Sequence, residues 1–178
     1  MKKVVITGPE SSGKTTLAEA LAAHFNGGLV REMVRTYFAE RTIATNRYEE
    51  AELRTIAELQ LQEEERIAEL TEARGGRIIV CDTDLITVRI WGEEKFDRSD
   101  PWIVERTEER RYDLWLLCRP DMPWEPDPLR ENPNDRDRLF DVYESTLKQL
   151  RKPYVVLEGG YGQRLQTAIE AIALHTRT

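Results

Sequence analysis

Gly8-Pro9-Glu10-Ser11-Ser12-Gly13-Lys14-Thr15 satisfies the pattern G-x-x-x-x-G-K-[ST] in full. That pattern carries weight in one context only, a strand before it and a helix after it. Both are legible here. Lys2–Thr7 reads as a short buried strand, because Val4, Val5 and Ile6 are all β-branched. Gly13–Phe25 reads as a helix, with Leu17, Ala20, Leu21 and His24 recurring on one face. Gly8 and Gly13 let the backbone curl around an anion with successive N–H groups pointing inward. The first turn of the helix adds its positive end. In such a loop Lys14 reaches the β- and γ-phosphates, the Thr15 hydroxyl ligates Mg²⁺, and Glu10, Ser11, Ser12 and Thr16 complete the nucleotide-binding run. The competing reading is a purely structural Gly-rich turn.

Outward from this loop, strands and helices alternate. Gly27-Gly28 closes the first helix, Leu29-Val30 reads as a second strand running into Arg31-Glu32, and Met33–Glu40 as helical. Asn46 with Glu49 has the spacing of a capping box that opens a long polar helix ending near Gly75-Gly76. Its Glu63-Glu64-Glu65 run reads as a solvated face. Ile78–Cys81 is the third strand, ending at Asp82. Asp100-Pro101 begins a helix running to about Arg111, Asp113–Arg119 is the fourth strand, and Pro120–Asn134 reads as a mobile loop. A helix over Asp135–Leu150, a fifth strand at Tyr154–Leu157 and a helix over Arg164–His175 finish the chain. This order predicts an α/β fold of three layers, the P-loop NTPase architecture. Its sheet would be mainly parallel and five-stranded, with helices on both faces and an Arg-bearing lid loop at about 120–136. With neither an internal repeat nor a long linker, residues 1–178 are expected to form one kinase-type domain.

Composition narrows the partners. The 178 residues carry a formal net charge of −7, which disfavours nucleic acid and suits a cationic small substrate. The apolar runs are strand-sized, short of the roughly 20 residues of a spanning helix, and Lys2-Lys3 lead straight into a strand with no signal-peptide pattern. Cys81 and Cys118 sit in apolar strand-like runs without metal or redox spacing. They read as buried free thiols, and the expected location is a reducing cytoplasm.

Four apolar residues followed by Asp82 at a strand's C-terminal end have the form of the second half of an NTPase site, in which the acid holds Mg²⁺. Alone, such an Asp is a helix cap or turn former. The guanine-reading N-K-x-D signature is missing, since Asn132-Pro133-Asn134-Asp135 lacks the lysine, and no D-x-x-G switch follows Asp82. The chain is small for a ring ATPase with its sensor domain. A compact small-molecule kinase remains. It needs a group to orient or deprotonate the acceptor hydroxyl, plus cations for the transferred phosphoryl. Glu32, at the end of strand two, is the first choice for the base; a salt bridge to Arg31 or Arg35 is the bland alternative. Asp84 is a second acid able to bind substrate hydroxyls, or else to cap a helix. Arg130 and Arg136, and more weakly Arg138, are placed to supply transition-state charge from a closing lid; surface arginines are the alternative.

With these residues in view, the chain resembles the ribosylnicotinamide kinase domain of NadR-type proteins. The matching blocks are Gly8–Thr16, Glu32 with Arg35 and Tyr37, and Asp82-Thr83-Asp84 followed by Leu85-Ile86-Thr87. Tyr112-Asp113-Leu114, Pro123-Trp124, Asp127, Leu129-Arg130, Asp135-Arg136 and the late pair Tyr161 and Arg164 extend the match over nearly the whole chain. The resemblance implies transfer of a phosphoryl group from ATP to the 5′-hydroxyl of nicotinamide riboside, with Mg²⁺. A pyridinium is a flat cation that a tryptophan face attracts. In that setting Trp124 is the candidate wall, Tyr37 a second, Arg35 a substrate contact and Asp84 a ribose ligand, while Gly159-Gly160-Tyr161 and Arg164 would border adenine. Trp91, Trp102 and Trp115 are left to packing. Pro9 departs from a common glycine, and Gly159-Gly160 loosens the adenine side. Bifunctional members carry an adenylyltransferase domain and sometimes a DNA-binding segment before the kinase. This sequence shows neither, so the expected product is the mononucleotide and no repressor role is expected. The competing functions are a kinase of another nucleoside, nucleotide or sugar-like metabolite, and a slow nucleotide-binding regulatory module.

Overall fold

The computed structural model describes residues 1–39, 48–125 and 134–176. Five strands form one parallel sheet: β1 (Lys2–Thr7), β2 (Gly28–Val30), β3 (Ile78–Asp82), β4 (Leu114–Cys118) and β5 (Tyr154–Leu157), in the order β2-β3-β1-β4-β5. The helices are α1 (Lys14–His24), α2 (Met33–Ala39), α3 (Glu50–Ala73), α4 (Leu85–Phe96), α5 (Pro101–Glu109), α6 (Arg136–Gln149) and α7 (Tyr161–His175). The side-chain period of two divides each central strand between two cores. Val4, Ile6, Val80, Leu114 and Leu116 pack with α1 and α7, whereas Val5, Ile79, Cys81, Trp115 and Leu117 meet Ile86 and Ile90 of α4 and Phe140, Tyr143 and Leu147 of α6. A third cluster joins α2, α3, α4 and α5 through Val34, Phe38, Leu53, Ile56, Leu85 and Ile103. Cys81 and Cys118 are free thiols inside these cores. No helix among the described residues is long and apolar enough to cross a membrane.

Register fixes where the chemistry lies. Ile6 of β1 pairs with Asp82 of β3, and Val30 of β2 pairs with Cys81. The loop after β1, the acid ending β3 and the residues after β2 therefore emerge side by side at the C-terminal edge of the sheet, the edge where parallel sheets bind ligands.

Four sequence expectations change. α4 was not foreseen, because it is buried nearly all round at Leu85, Ile86, Thr87, Val88, Ile90 and Gly92 and so lacks a polar face to betray its period. The capping box of α3 is made by Glu49 and Glu52, one turn later than expected; Asn46 lies outside the described residues. Asn26, not a glycine, adopts the left-handed conformation after α1 (φ 49°), and Gly28 already belongs to β2. Glu64 is not on a solvated face. It is 1% exposed and accepts hydrogen bonds from Lys3 Nζ (2.7 Å), Tyr112 Oη (2.7 Å) and the Arg110 guanidinium.

Candidate active site

The loop between β1 and α1 takes three left-handed residues, Gly8 (φ 132°), Ser11 (φ 52°) and Gly13 (φ 78°). Gly8 has a second reason to be glycine, since a Cβ there would lie 2.6 Å from the carbonyl oxygen of Cys118. Several bonds brace the loop from within and from outside. Ser12 Oγ and Lys14 Nζ both donate to the Pro9 carbonyl at 2.7 Å. Arg136 at the head of α6 donates to the carbonyls of Ser11 (3.1 Å) and Met122 (3.0 Å), and the Glu125 N–H donates to Ser11 Oγ (3.0 Å).

Arg164 is 3% exposed and gathers the phosphate loop with the segments after β4 and β5. It donates to the carbonyls of Ser12 (2.8 Å), Gly159 (2.8 Å) and Arg119 (2.7 Å), and also to Asp121. Asp121 accepts the Gly159 N–H at 2.7 Å as well.

Thr15 Oγ1 donates to Asp82 Oδ2 at 2.7 Å, while Asp82 Oδ1 is buried with no hydrogen-bond partner. A hydroxyl and a carboxylate with a spare, dehydrated oxygen form a hard-oxygen set suited to Mg²⁺. Burial lifts the Asp82 carboxyl above its usual range, and the Thr15 hydrogen bond and Lys14 oppose the lift. Glu32 sits nearby with its side chain 13% exposed, and Arg35 Nε donates to it at 3.1 Å. Burial also raises the Glu32 carboxyl; Lys14 pulls it down, Asp82 pushes it up and Arg35 pulls it down.

Thr15, Glu32, Arg35 and Lys14 line one cavity of about 280 Å³, with Asp82 behind Thr15. Its walls include the loop from Glu10 to Thr16, then Glu32, Arg35, Tyr161 and Arg164 as the sequence predicted. They also include Thr87 and Trp91 of α4, Tyr143 of α6, Met122 and Glu125, none of which the sequence singled out. Trp91 does pack against the α2–α5 cluster, as expected, and also reaches the cavity from α4, a helix the sequence did not reveal.

Three predicted contacts sit elsewhere. Asp84 is 3% exposed at the N-cap position of α4, and Trp115 Nε1 donates to its Oδ2 at 3.0 Å. Burial pushes its carboxyl up to about 6 against that hydrogen bond. Its side chain lies in the core away from the cavity walls; it makes no cap bond to α4, and Oδ1 is buried without a hydrogen-bond partner among the described residues. Tyr37 is buried in the α2–α3 cluster, its hydroxyl donating to Glu52 at 3.1 Å, so it packs helices together. Trp124 is half-buried beside Arg136, whose guanidinium lies 5.7 Å from its ring centre, and it is not among the cavity walls. Arg138 pairs with Glu94 and Asp135 on the surface. Arg130, with Asp127 and Leu129, lies outside the described residues.

The profile of the AAA domain family matches residues 3–164. The chain belongs to that AAA domain family. The chain is 26% identical over 182 residues to the trifunctional NAD biosynthesis/regulator protein NadR of Salmonella typhimurium, covering 97% of this chain and 42% of that protein. It thus spans less than half of the curated relatives it matches. A NadR protein solved in complex with NAD and AMP-PNP superposes with a TM-score of 0.81 at 25% identity, over 98% of this chain and 49% of that one. A NadR protein in complex with NR superposes at 0.79 and 24% identity, over 98% and 51%. The AAA domain described here thus has the architecture of a P-loop kinase domain.

Proposed function

We propose that this chain is an ATP-dependent kinase that phosphorylates the 5′-hydroxyl of nicotinamide riboside to give nicotinamide mononucleotide, in NAD salvage in the cytoplasm. The observation that carries the reading is the single cavity in which the phosphate loop meets a buried acid, Glu32, and an aromatic wall, Trp91 with Tyr143. The similarity to NadR, and to NadR bound to NR, supports the choice of acceptor.

The residues divide the work. Backbone N–H groups from Gly8 to Thr15 cradle the β- and γ-phosphates, and Lys14 meets the charge developing on the transferred group. Thr15 and Asp82 would hold Mg²⁺, which would neutralise negative charge on the phosphates. Glu32 accepts the acceptor hydroxyl's proton, its raised basicity favouring that transfer near neutral pH. Arg35 fixes the Glu32 carboxylate. Arg136 supports the loop backbone at Ser11 and stands at the lid's foot; with Arg130 it would bring cations over the closing site. Trp91 faces a flat pyridinium cation better than the buried Tyr37 does. Trp124, beside Arg136, is a lid contact. Arg164 and Tyr161 bound the adenine side, Arg164 by holding the loops in place.

A coupled assay of ADP release with a panel of acceptors tests this. Release with nicotinamide riboside alone is expected. Release with deoxynucleosides instead would shift the assignment to another metabolite. Steady hydrolysis with no acceptor dependence would favour a nucleotide-driven regulatory module, the reading to which the AAA family description lends weight.

A further inference from the structure

Because the sheet is parallel, the segments entering β4 and β5 lie at the rim opposite the nucleotide cavity. A second hollow of about 430 Å³ opens there. Arg110, Arg111, Arg151 and Lys152 line it above Tyr112 and Trp115, with Glu108 as the one acid of its lining. In a chain of net charge −7, such a local excess of cations calls for a cause.

Part of the cause is structural. The hollow lies where α5 and α6 end, and cations favour helix C-termini. Lys152 Nζ donates to the carbonyls of Glu108 (3.0 Å) and Arg110 (2.9 Å), capping α5. Arg110 is engaged by buried Glu64 and by Tyr112. Those contacts leave Arg111 and Arg151, which form no side-chain hydrogen bond or ion pair among the described residues. Arg151 moreover occupies the left-handed position after α6 (φ 52°), where glycine is the common and unstrained choice. Burial holds the Lys152 ammonium below its usual range; Asp84 pulls it up and Arg111 pushes it down. Like charges around a concave, partly desolvated space are relieved by an anion between them.

We propose that this hollow is a second binding site, for a small phosphate-bearing anion held by Arg111, Arg151 and the remaining N–H of Lys152. The volume exceeds that of one phosphate group and suits a phosphorylated metabolite. It stands apart from the phosphate loop and does not depend on the kinase assignment.

Calorimetry decides it. The protein is first saturated with Mg²⁺ and a non-hydrolysable ATP analogue to fill the phosphate loop, then titrated with inorganic phosphate or with ribose 5-phosphate. We expect binding of at least one probe, weakened about ten-fold or more by Arg111→Glu and by Arg151→Glu, with affinity for the ATP analogue unchanged. Tighter binding of ribose 5-phosphate identifies an organic phosphate as the ligand, and equal binding identifies the free anion. No heat from either probe up to about 10 mM, or affinities that both charge reversals leave intact, would overturn the proposal.

Discussion

Lys14, Glu32 and Trp91 reach one cavity from three different elements, and each should fail in its own way when replaced. Lys14→Ala removes the one lysine on the phosphates, and kcat should fall by about 100-fold or more in steady-state assays. Retention of a large part of the rate would contradict the assigned phosphate clamp. Trp91→Ala deletes an aromatic face worth about 1–2 kcal/mol to a desolvated cation. KM for nicotinamide riboside should rise about ten-fold while KM for ATP holds, and Trp124→Ala should affect the acceptor less. If Trp124→Ala raises the acceptor KM more than Trp91→Ala, the aromatic wall has been assigned to the wrong residue. Lys14 and Glu32 were legible in the sequence because their meaning is local: one sits in a fixed motif, the other ends a short strand. Trp91 was not, since a tryptophan's role depends on which way its helix is turned.

At the scale of elements, two junctions carry the site. Where β1 enters the phosphate loop, Gly8 combines a positive φ with close approach to the Cys118 carbonyl of β4. Gly8→Ala should abolish nucleotide binding by calorimetry and lower stability by about 2 kcal/mol or more, because backbone strain and a backbone clash are both imposed. The second junction is Glu64 of α3, tied to Lys3 of β1 and to Arg110 and Tyr112 ahead of β4. Glu64→Ala removes the buried carboxylate shared by two partly buried cations and the Tyr112 hydroxyl, and should cost about 3 kcal/mol in urea unfolding. Since the residue is remote from the cavity walls, KM for both substrates should stay near wild type. The sequence showed only three consecutive glutamates; the central one turns inward because a helix presents its neighbours to other directions.

For the molecule as a whole, the cavity is assembled from the segments after β1, β2 and β4 together with α1, α2, α4, α6 and α7, so ligand and fold should stabilise each other. Mg²⁺ with a non-hydrolysable ATP analogue at 100 times its Kd should add about 2.7 kcal/mol to unfolding free energy, with the gain lost in Lys14→Ala. An unchanged melting temperature would argue against nucleotide binding at this loop. By itself the sequence determined the alternating architecture, the phosphate loop, the Asp82 strand end and Glu32, because β-branched runs, a glycine-bearing motif and strand termini act through neighbours along the chain. Only the tertiary structure decided that Asp84 and Tyr37 lie in the core away from the cavity walls, that Trp91 and Tyr143 wall the cavity, and that Arg164 braces three loops. Those roles follow from how a helix buried on all sides is rotated and from which strand ends lie side by side, and residues distant in the chain set both.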